Sequence, residues 1–314
     1  MTALSILLGT AALVLGISYF CYRIGFYAPP RPPYDPEAID YPEGDIYKPF
    51  YPKMKQWILE TRALPQEDIC ITSFDGLKLW ATYYECAPGA PIELMFHGYR
   101  GSAHREMAAG VHRAFQLGHS AILVDQRCCG RSEGNTITFG VKEHKDCLTW
   151  VDYMVKRFGP EVKIILTGIS MGAATVMMAS DKGLPKNVIG ILADCGYNSQ
   201  KDIIYLVTKG MHLPPKLSYP FVKLGAKLFG HFDLDETTPE ESLKHCQVPV
   251  IFFHGQEDAF VPCYMSERCY NACASRKKLV TIPGAGHGLS FPMAPQHYLK
   301  EADAFFHPEK ERYK

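Results

Sequence analysis

The sequence predicts an α/β fold, with a mostly parallel central sheet and helices on both of its faces. From residue 92 onward, short apolar runs of strand length alternate with longer stretches whose apolar residues recur at helical spacing. This alternation is typical of βαβ units, in which crossover helices join parallel strands. The runs are predominantly apolar, which indicates strands covered on both faces. These predicted strands lie at 92–96, 121–124, 162–167, 188–193, 248–253 and 279–282.

The first segment of the chain, 4–21, is apolar and contains no charged side chain. Its roughly 18 residues are just enough to cross the hydrocarbon core of a bilayer, so we expect a transmembrane anchor over residues 1–24. A cleaved signal peptide is the alternative, but no Lys or Arg precedes the apolar run and no small-residue cleavage site follows it. Arg23 and Arg31 follow the span and favour a catalytic domain in the cytoplasm over an outward-facing one.

Residues 25–66 are expected to connect this anchor to the rest of the chain. A stiff, extended spacer is predicted by four prolines, Pro29, Pro30, Pro32 and Pro33. After it, apolar residues among charges at 51–63 indicate a short amphipathic helix. We expect this helix to pack against the domain that follows, 67–314.

Two β-rich segments, 69–72 and 77–84, open that domain. The Asp75-Gly76 dipeptide between them is a strong hairpin signal, so we expect two antiparallel strands at the start of the sheet. Between and after the parallel strands, the predicted helices lie at 103–117, 142–158, 171–180, 239–245, 265–274 and 296–306.

One insertion, at about 197–235, interrupts the alternation between two predicted strands. It is rich in Leu, Pro, Tyr, Phe and Lys, and its apolar residues recur at helical spacings. A connection of this length usually carries its own structure or a function. We interpret it as a small helical cap, with extra helices merely packed on the sheet as the alternative.

A G-x-S-x-G pentapeptide, residues 168–172, lies between a predicted strand and a predicted helix. In that context it predicts a nucleophile elbow, in which Ser170 sits strained and exposed on a tight turn. The glycines on either side matter because a Cβ there would collide with neighbouring backbone. A serine hydroxyl becomes a good nucleophile only when a base takes its proton and an acid orients that base.

A carboxylate and a histidine that could act as this acid and base each follow a later predicted strand. Asp258 follows the strand predicted at 248–253, and His287 follows the last predicted strand. Because the carboxyl ends of parallel strands meet at one edge of a sheet, we expect Ser170, Asp258 and His287 to converge there. Their order along the chain is the one found in enzymes that use this elbow. Glu257, beside Asp258, is the alternative acid.

A nucleophilic attack on a carbonyl group creates an oxyanion that needs preorganised N–H donors. Met171, the first residue of the helix after the serine, is predicted to supply one backbone N–H. Tyr99, in the loop after the strand at 92–96, is predicted to supply the second. His97 and His254 each precede a glycine at a strand end, and we expect both to be structural hydrogen-bonding groups.

From about residue 69 to its C-terminus the chain resembles α/β-hydrolase fold enzymes of the serine-esterase and serine-aminopeptidase-like group, particularly bacterial members with an N-terminal apolar anchor. The resemblance implies hydrolysis of esters, thioesters or amides without a cofactor. It is carried by the serine elbow, the Asp258 loop, His287 and three shorter motifs: His97-Gly98 with Gly101-Ser102, Asp125-Gln126-Arg127 with Gly130 and Ser132, and Asp194.

Composition argues against several other classes of function. A formal net charge of zero gives no support to nucleic acid or another polyanionic partner. Eleven cysteines scattered over 314 residues resemble neither a small disulfide scaffold nor a zinc site, and abundant unpaired cysteine agrees with a cytoplasmic domain. The sequence contains no P-loop, no H-E-x-x-H and no complete dinucleotide-binding motif, so we expect no cofactor and no metal.

The leading hypothesis is therefore a carboxylic-ester hydrolase that acts on a small-molecule ester or acyl substrate. The apolar insertion and the membrane anchor favour lipid-derived esters. A peptidase or amidase is the nearest alternative, because the same triad cleaves amides when the leaving amine is protonated. A non-catalytic binding module that has kept the fold is a third hypothesis. The sequence gives no indication of the oligomeric state.

Overall fold

The structure is a computed structural model that describes residues 2–29, 35 and 37–308. Pro30, Arg31, Pro32 and Pro33, on which part of the spacer and orientation predictions rest, lie outside the described residues. Eight strands form one sheet: β1 (Glu67–Thr72), β2 (Lys78–Tyr84), β3 (Ile92–Phe96), β4 (Ser120–Asp125), β5 (Ile164–Ile169), β6 (Val188–Asp194), β7 (Val250–Gly255) and β8 (Lys277–Ile282).

The strands follow the order β1-β2-β4-β3-β5-β6-β7-β8 across the sheet. β2 runs antiparallel to both of its neighbours, β1 and β4, and every pair from β4 to β8 is parallel. The predicted α/β fold, with a mostly parallel sheet opened by an antiparallel hairpin, is therefore confirmed.

Helices surround the sheet and fill its connections. They are α1 (Thr2–Gly25), α2 (Tyr51–Ala63), α3 (Ala103–Gln116), α4 (Glu143–Phe158), α5 (Met171–Met178), α6 (Gln200–Gly210), α7 (Pro215–Phe229), α8 (Pro239–Leu243), α9 (Tyr264–Ala272), α10 (Ser290–Met293) and α11 (Pro295–Phe306). A 3-10 helix, Asp45–Phe50, leads into α2. The insertion between β6 and β7 thus contains two helices, α6 and α7, with the helical spacing that its sequence predicts.

Successive residues of the inner strands face opposite helical layers. In β7, Val250 and Phe252 pack with buried residues of α4, α5 and α9. Ile251 and Phe253, between and after them, pack with buried residues of α2, α3 and α11. Because side chains alternate across a strand, this pattern places one layer of helices on each face of the sheet. Burial on both faces explains why the strands are apolar throughout their length.

The predicted strands lie within two residues of the observed ones at each end. The largest displacements are in β5 and β7, which continue through a glycine where the sequence suggested an end. Gly168 still pairs with Ala193, and Gly255 still pairs with Ile282. Backbone of another segment lies directly against each of these glycines. Each glycine therefore permits a close approach of two chain segments and does not end its strand.

One charged side chain lies in the middle of the sheet. Glu93, in β3, is completely buried and accepts hydrogen bonds from Arg113 and from Thr167 Oγ1, the latter at 2.8 Å. His119 Nδ1 lies 2.9 Å from its other oxygen. Burial opposes ionisation of Glu93, but the Arg113 charge and the hydrogen bonds outweigh it and lower the pKa of this carboxyl. The sheet therefore encloses a paired charge that stabilises the fold only while both partners are present.

We expect Glu93→Gln to lower the free energy of unfolding by about 3–5 kcal/mol, because it leaves the Arg113 guanidinium buried without its counter-charge. Urea denaturation of the detergent-solubilised chain measures the change. Glu161→Gln, the same substitution at an exposed position, should shift stability by less than about 0.5 kcal/mol. Similar effects of the two substitutions would show that the buried pair does not stabilise the sheet.

Candidate active site

Ser170 lies on the turn between β5 and α5. Its backbone has φ 55° and ψ −117°, a conformation that residues other than glycine rarely adopt. The turn is tight, since a Cβ on Gly168 would lie 2.2 Å from the Gly172 carbonyl group and one on Gly172 would lie 2.0 Å from the Phe96 carbonyl oxygen. The Ser170 N–H donates to the Asp194 carbonyl oxygen at 2.9 Å. These contacts hold the serine at the carboxyl edge of the sheet.

Ser170, Asp258 and His287 lie in contact with one another. His287 Nε2 lies 3.0 Å from Ser170 Oγ, and His287 Nδ1 lies 2.7 Å from Asp258 Oδ2. The three residues follow β5, β7 and β8, respectively, so three separate loops meet at one edge of the sheet. The arrangement can move a proton from the serine hydroxyl to the imidazole while the carboxylate holds the ring in place.

The Asp258 carboxylate is held on both of its oxygens. Oδ1 accepts hydrogen bonds from the N–H groups of Phe260 at 2.9 Å and Val261 at 2.8 Å, while Oδ2 faces His287 and lies 3.3 Å from His254 Nε2. Burial opposes ionisation, but the hydrogen bonds from His254, His287 and Val261 outweigh it and lower the pKa of Asp258 to about 2. Asp258 is therefore a carboxylate at neutral pH.

Glu257, the alternative acid, is exposed on the outer side of the same loop. The two histidines expected to be structural are buried and hydrogen-bonded. His97 Nδ1 lies 2.8 Å from the Gly98 carbonyl oxygen, and its Nε2 accepts from the Gln126 N–H at 3.2 Å. His254 joins the Asp258 loop to α9, since its Nε2 lies 2.7 Å from the Val261 carbonyl oxygen and its Nδ1 lies 2.6 Å from Ser266 Oγ.

The loop between β3 and α3 carries Tyr99, one of the two predicted oxyanion donors. Glu106 fixes this loop, because its carboxylate accepts a hydrogen bond from the Gly98 N–H and fills the space beside Gly101, where a Cβ would lie 2.3 Å from Glu106 Oε1. Tyr99 lines the cavity next to Ser170. Met171, the other predicted donor, is the first residue of α5, where the backbone N–H of a helix has no partner within the helix. Their joint role at an oxyanion stays a prediction.

A cavity of about 550 Å³ opens beside Ser170 and His287. Its wall includes an apolar set of side chains from several parts of the chain, namely Met54, Trp57, Met107, Ile169, Phe260, Phe291 and Pro292. Its inner end reaches Arg113 and Asp194. A cavity of this size and composition suits a small molecule with an apolar part bound beside the serine.

The segment before the hydrolase domain forms part of this cavity, which the sequence did not predict. Pro42, Glu43 and Tyr47 line it together with Met54 and Trp57 of α2. The residue pattern at 51–63 predicted only a packing role for α2, and no local pattern marked the 3-10 helix. The insertion 197–235, interpreted as a cap, contributes no residue to the lining found within the described part of the chain.

A thiol lies behind the three polar residues. Cys195 follows β6 with φ 45° and is completely buried, and its Sγ lies within 4.8 Å of ligand atoms of Asp258 and His287. Burial, together with the nearby carboxylates, raises the pKa of the Cys195 thiol well above its ordinary value.

The sheet order, the serine elbow and the convergence of a serine, a histidine and a carboxylate are typical of the α/β-hydrolase fold. The model of the alpha/beta hydrolase family matches residues 94–301. This region is most of the chain and contains all three residues, and the chain belongs to that family. The predicted resemblance is thereby confirmed.

Individual relatives are similar over part of their length. YqkD of Bacillus subtilis is 24% identical over 196 residues, which cover 62% of this chain and 64% of YqkD. The lysophosphatidylserine lipase ABHD12 of Danio rerio is 24% identical over 212 residues, which cover 64% of this chain and 50% of that protein. The chain thus spans less than two thirds of either relative. An esterase of Pyrococcus furiosus has a TM-score of 0.64 at 19% identity, covering 85% of this chain and 98% of the esterase, and shares the fold.

We expect Asp258→Asn to remove a pH dependence of stability. The folded-state pKa of about 2 lies below the ordinary value of Asp, so this carboxylate contributes stability that is fully present above the ordinary value and is lost as the pH falls towards 2. The free energy of unfolding of the parent should therefore fall more between about pH 5 and about pH 3 than that of the variant. Urea denaturation at the two pH values measures the fall in the free energy of unfolding for the parent and for the variant. Equal falls in the two proteins would contradict the lowered pKa of Asp258.

Proposed function

We propose that the protein is a serine hydrolase that cleaves carboxylic esters, with Ser170 as nucleophile, His287 as base and Asp258 as the acid that orients the base. The observation that carries this proposal is the continuous series of contacts from Asp258 through His287 to Ser170 Oγ, at 2.7 and 3.0 Å. It lies at the wall of a largely apolar cavity. Membership of the alpha/beta hydrolase family supports hydrolysis as the class of reaction.

In the proposed reaction Ser170 Oγ attacks the ester carbonyl carbon while His287 Nε2 takes the hydroxyl proton. The Asp258 carboxylate stabilises the imidazolium that forms, and the backbone N–H groups of Tyr99 and Met171 stabilise the oxyanion. When the intermediate collapses, the C–O bond to the alcohol breaks and the leaving alcohol receives the proton from His287. A water molecule then attacks the carbonyl carbon of the acyl-Ser170 ester while His287 takes its proton. The bond from that carbon to Ser170 Oγ breaks, the serine receives the proton from His287, and the acid is released.

The cavity wall favours a substrate with an apolar acyl group. Trp57, Met107 and Phe291 offer apolar surface, and the volume of about 550 Å³ holds a chain of several carbons. A relative carrying the name of a lysophosphatidylserine lipase and a structural neighbour described as an esterase agree with an acyl ester. Lipid-derived esters are accordingly the substrate class that we propose, with amides as the alternative.

For the domain organisation we propose an anchor at 1–24, a spacer and lead-in helix at 25–66, and a catalytic domain at 67–314 that contains the cap at about 197–235. The stretch Ala3–Gly25 has a mean hydropathy of 2.0 and the length to cross a membrane, although a signal sequence has the same character. Arg23, in the last turn of α1, supports a catalytic domain in the cytoplasm. N-terminal sequencing of the mature protein distinguishes an intact anchor from a cleaved signal.

We expect Ser170→Ala and His287→Ala each to lower kcat for p-nitrophenyl ester hydrolysis by about 10⁴-fold or more, because each removes a group that forms or breaks bonds. Asp258→Ala should lower kcat by roughly 10³- to 10⁴-fold. Glu257→Ala is the matched control one residue away and should retain activity within about twofold, since its side chain is exposed.

Labelling with a serine-directed fluorophosphonate provides a second readout of the nucleophile. The parent should react, and Ser170→Ala should not. A folded parent that fails to react would contradict the enzyme proposal and favour a binding module. An active Asp258→Ala protein together with an inactive Glu257→Ala protein would transfer the acid role to Glu257.

We expect Ala109→Phe to shorten the range of accepted acyl chains. Ala109 lines the cavity on α3, so a benzyl group there fills space that a long acyl chain would occupy. The kcat/KM for esters of about eight carbons or more should fall by about tenfold or more, while that for the acetate ester stays within about twofold. Ala63→Phe, at an exposed position at the end of α2, is the matched control.

The same panel should include aminoacyl p-nitroanilides. We expect them to be poorer substrates than the esters. Faster cleavage of the amides than of every ester would replace the esterase proposal with the peptidase alternative, and an equal loss for all chain lengths in Ala109→Phe would contradict the placement of the acyl group.

A further inference from the structure

We propose that the cap docks onto the surface of a bilayer containing anionic lipid through α6, α7 and the turn between them (200–229). The protein is then seated on the membrane by two adjoining elements, α1 and the cap, rather than tethered by one. This inference rests on α1 as an anchor and goes beyond the proposed reaction. It also assigns a role to an insertion that does not line the cavity beside Ser170.

The C-terminal half of α1 is packed against the cap. Ser18 and Tyr22 are buried, and a Cβ on Gly225 of α7 would lie 2.2 Å from the Ser18 carbonyl oxygen. Tyr19 contacts Phe229 edge to face at 5.1 Å between ring centroids. Gly225 therefore permits a close approach of the two helices, and the position of α7 relative to α1 is fixed by this contact.

Only the N-terminal half of α1 extends away from the rest of the protein. Residues 3–13 are exposed throughout, and the first partly covered side chain is Val14. Eleven helical residues rise about 16 Å, which is roughly half of the 30 Å of a hydrocarbon core. If α1 crosses a bilayer, its packed half must also lie at membrane depth. Because α7 is packed on that half, α7 must lie at or in the same leaflet.

The outer face of α7 is apolar where it adjoins α1. Leu217, Leu224 and Leu228 are spaced by seven and four residues and therefore share one face of the helix. Leu217 is 64% exposed and Leu228 is 43% exposed. Leu224 and Leu228 flank Gly225 on the helix surface, so this apolar stripe continues the apolar surface of α1. α6 and the turn also expose apolar side chains, namely Val207, Met211 and Leu213.

The charge of residues 200–229 complements anionic lipid, since they contain five lysines and one acidic residue. Asp233 and Asp235, which follow α7 in the cap, pair with Lys223. Lys209, Lys216 and Lys227 are exposed, and in the described part of the chain none of them forms a salt bridge. Apolar side chains that enter the acyl region beside lysines that reach the head groups are typical of a surface that lies on a membrane.

Seating the cap would also orient the active site. The end of α1 contacts the loop that carries the predicted oxyanion donor, since Tyr99 Oη donates to the Gly25 carbonyl oxygen at 2.8 Å. Arg100 Nη2 donates to the carbonyl oxygens of Ile24 at 2.9 Å and Tyr27 at 3.1 Å. The anchor, the cap and the loop beside Ser170 are thus joined by direct contacts, and the cavity is held at a fixed height above the bilayer.

Fluorescence quenching by brominated lipid tests the position of the cap in the full chain. The protein is reconstituted into phosphatidylcholine and phosphatidylglycerol vesicles whose acyl chains carry bromine. Leu217→Trp places a probe on the cap, and Leu59→Trp is the matched control on α2, where Leu59 is 47% exposed. After subtraction of the signal of the parent, which has three tryptophans, we expect bromine to quench the cap probe by about half or more and the control probe by less than about a tenth.

Equal quenching of the two probes would contradict the proposal and would favour a protein partner over a bilayer at this face. A second arm measures turnover with Leu217→Glu/Leu228→Glu. We expect a fall of about tenfold for a long-chain ester embedded in vesicles and a change of less than about twofold for p-nitrophenyl acetate in solution. Quenching needs no turnover, so an inactive parent with a quenched cap probe would overturn the proposed reaction and not the docking of the cap.

Discussion

The strained turn at Ser170 is the constraint on which the rest of the site depends. Its backbone conformation is held because Gly168 and Gly172 allow α5 to begin against the ends of β3 and β5 without a side chain between them. The hydrogen bond from the Ser170 N–H to the Asp194 carbonyl oxygen fixes the same turn to β6. The position of Ser170 at the edge of the sheet is therefore fixed. The loops that follow β7 and β8 need only extend to that position to bring Asp258 and His287 together with the serine.

The sequence was sufficient to predict the fold and the grouping of these three residues. Strands from β3 to β7 are mostly apolar because both of their faces are covered, and a polar residue follows β3, β5 and β7. β5, β6, β7 and β8 are neighbours in the order in which they occur in the chain. Polar residues after three of these strands must then lie close together, so local patterns combined with the rule for parallel strands are enough.

What the sequence did not predict depends on contacts between distant parts of the chain. Glu93 is stable in the middle of β3 only because Arg113, His119 and Thr167 surround it, and each of these belongs to a different element. A glycine inside a helix is usually destabilising. The reason for Gly225 becomes clear only from the backbone of α1, which lies directly against it. The contribution of residues 42–57 to the cavity follows from the path of the lead-in segment across the sheet edge, which no local spacing encodes.

These contacts shape two parts of the proposed active site, the cavity and the loop that carries Tyr99. The lead-in segment and α3 shape the cavity for an acyl group, and the loop that carries Tyr99 is held by Glu106 on one side and by the end of α1 on the other. The proposed reaction requires that an acyl group be transferred to one serine. Mass spectrometry of the protein quenched during hydrolysis of a slow ester, followed by peptide mapping, tests this step most directly. We predict an added acyl group on the peptide that contains Ser170, whereas ester turnover with no adduct there, or with an adduct on another residue, would contradict the account.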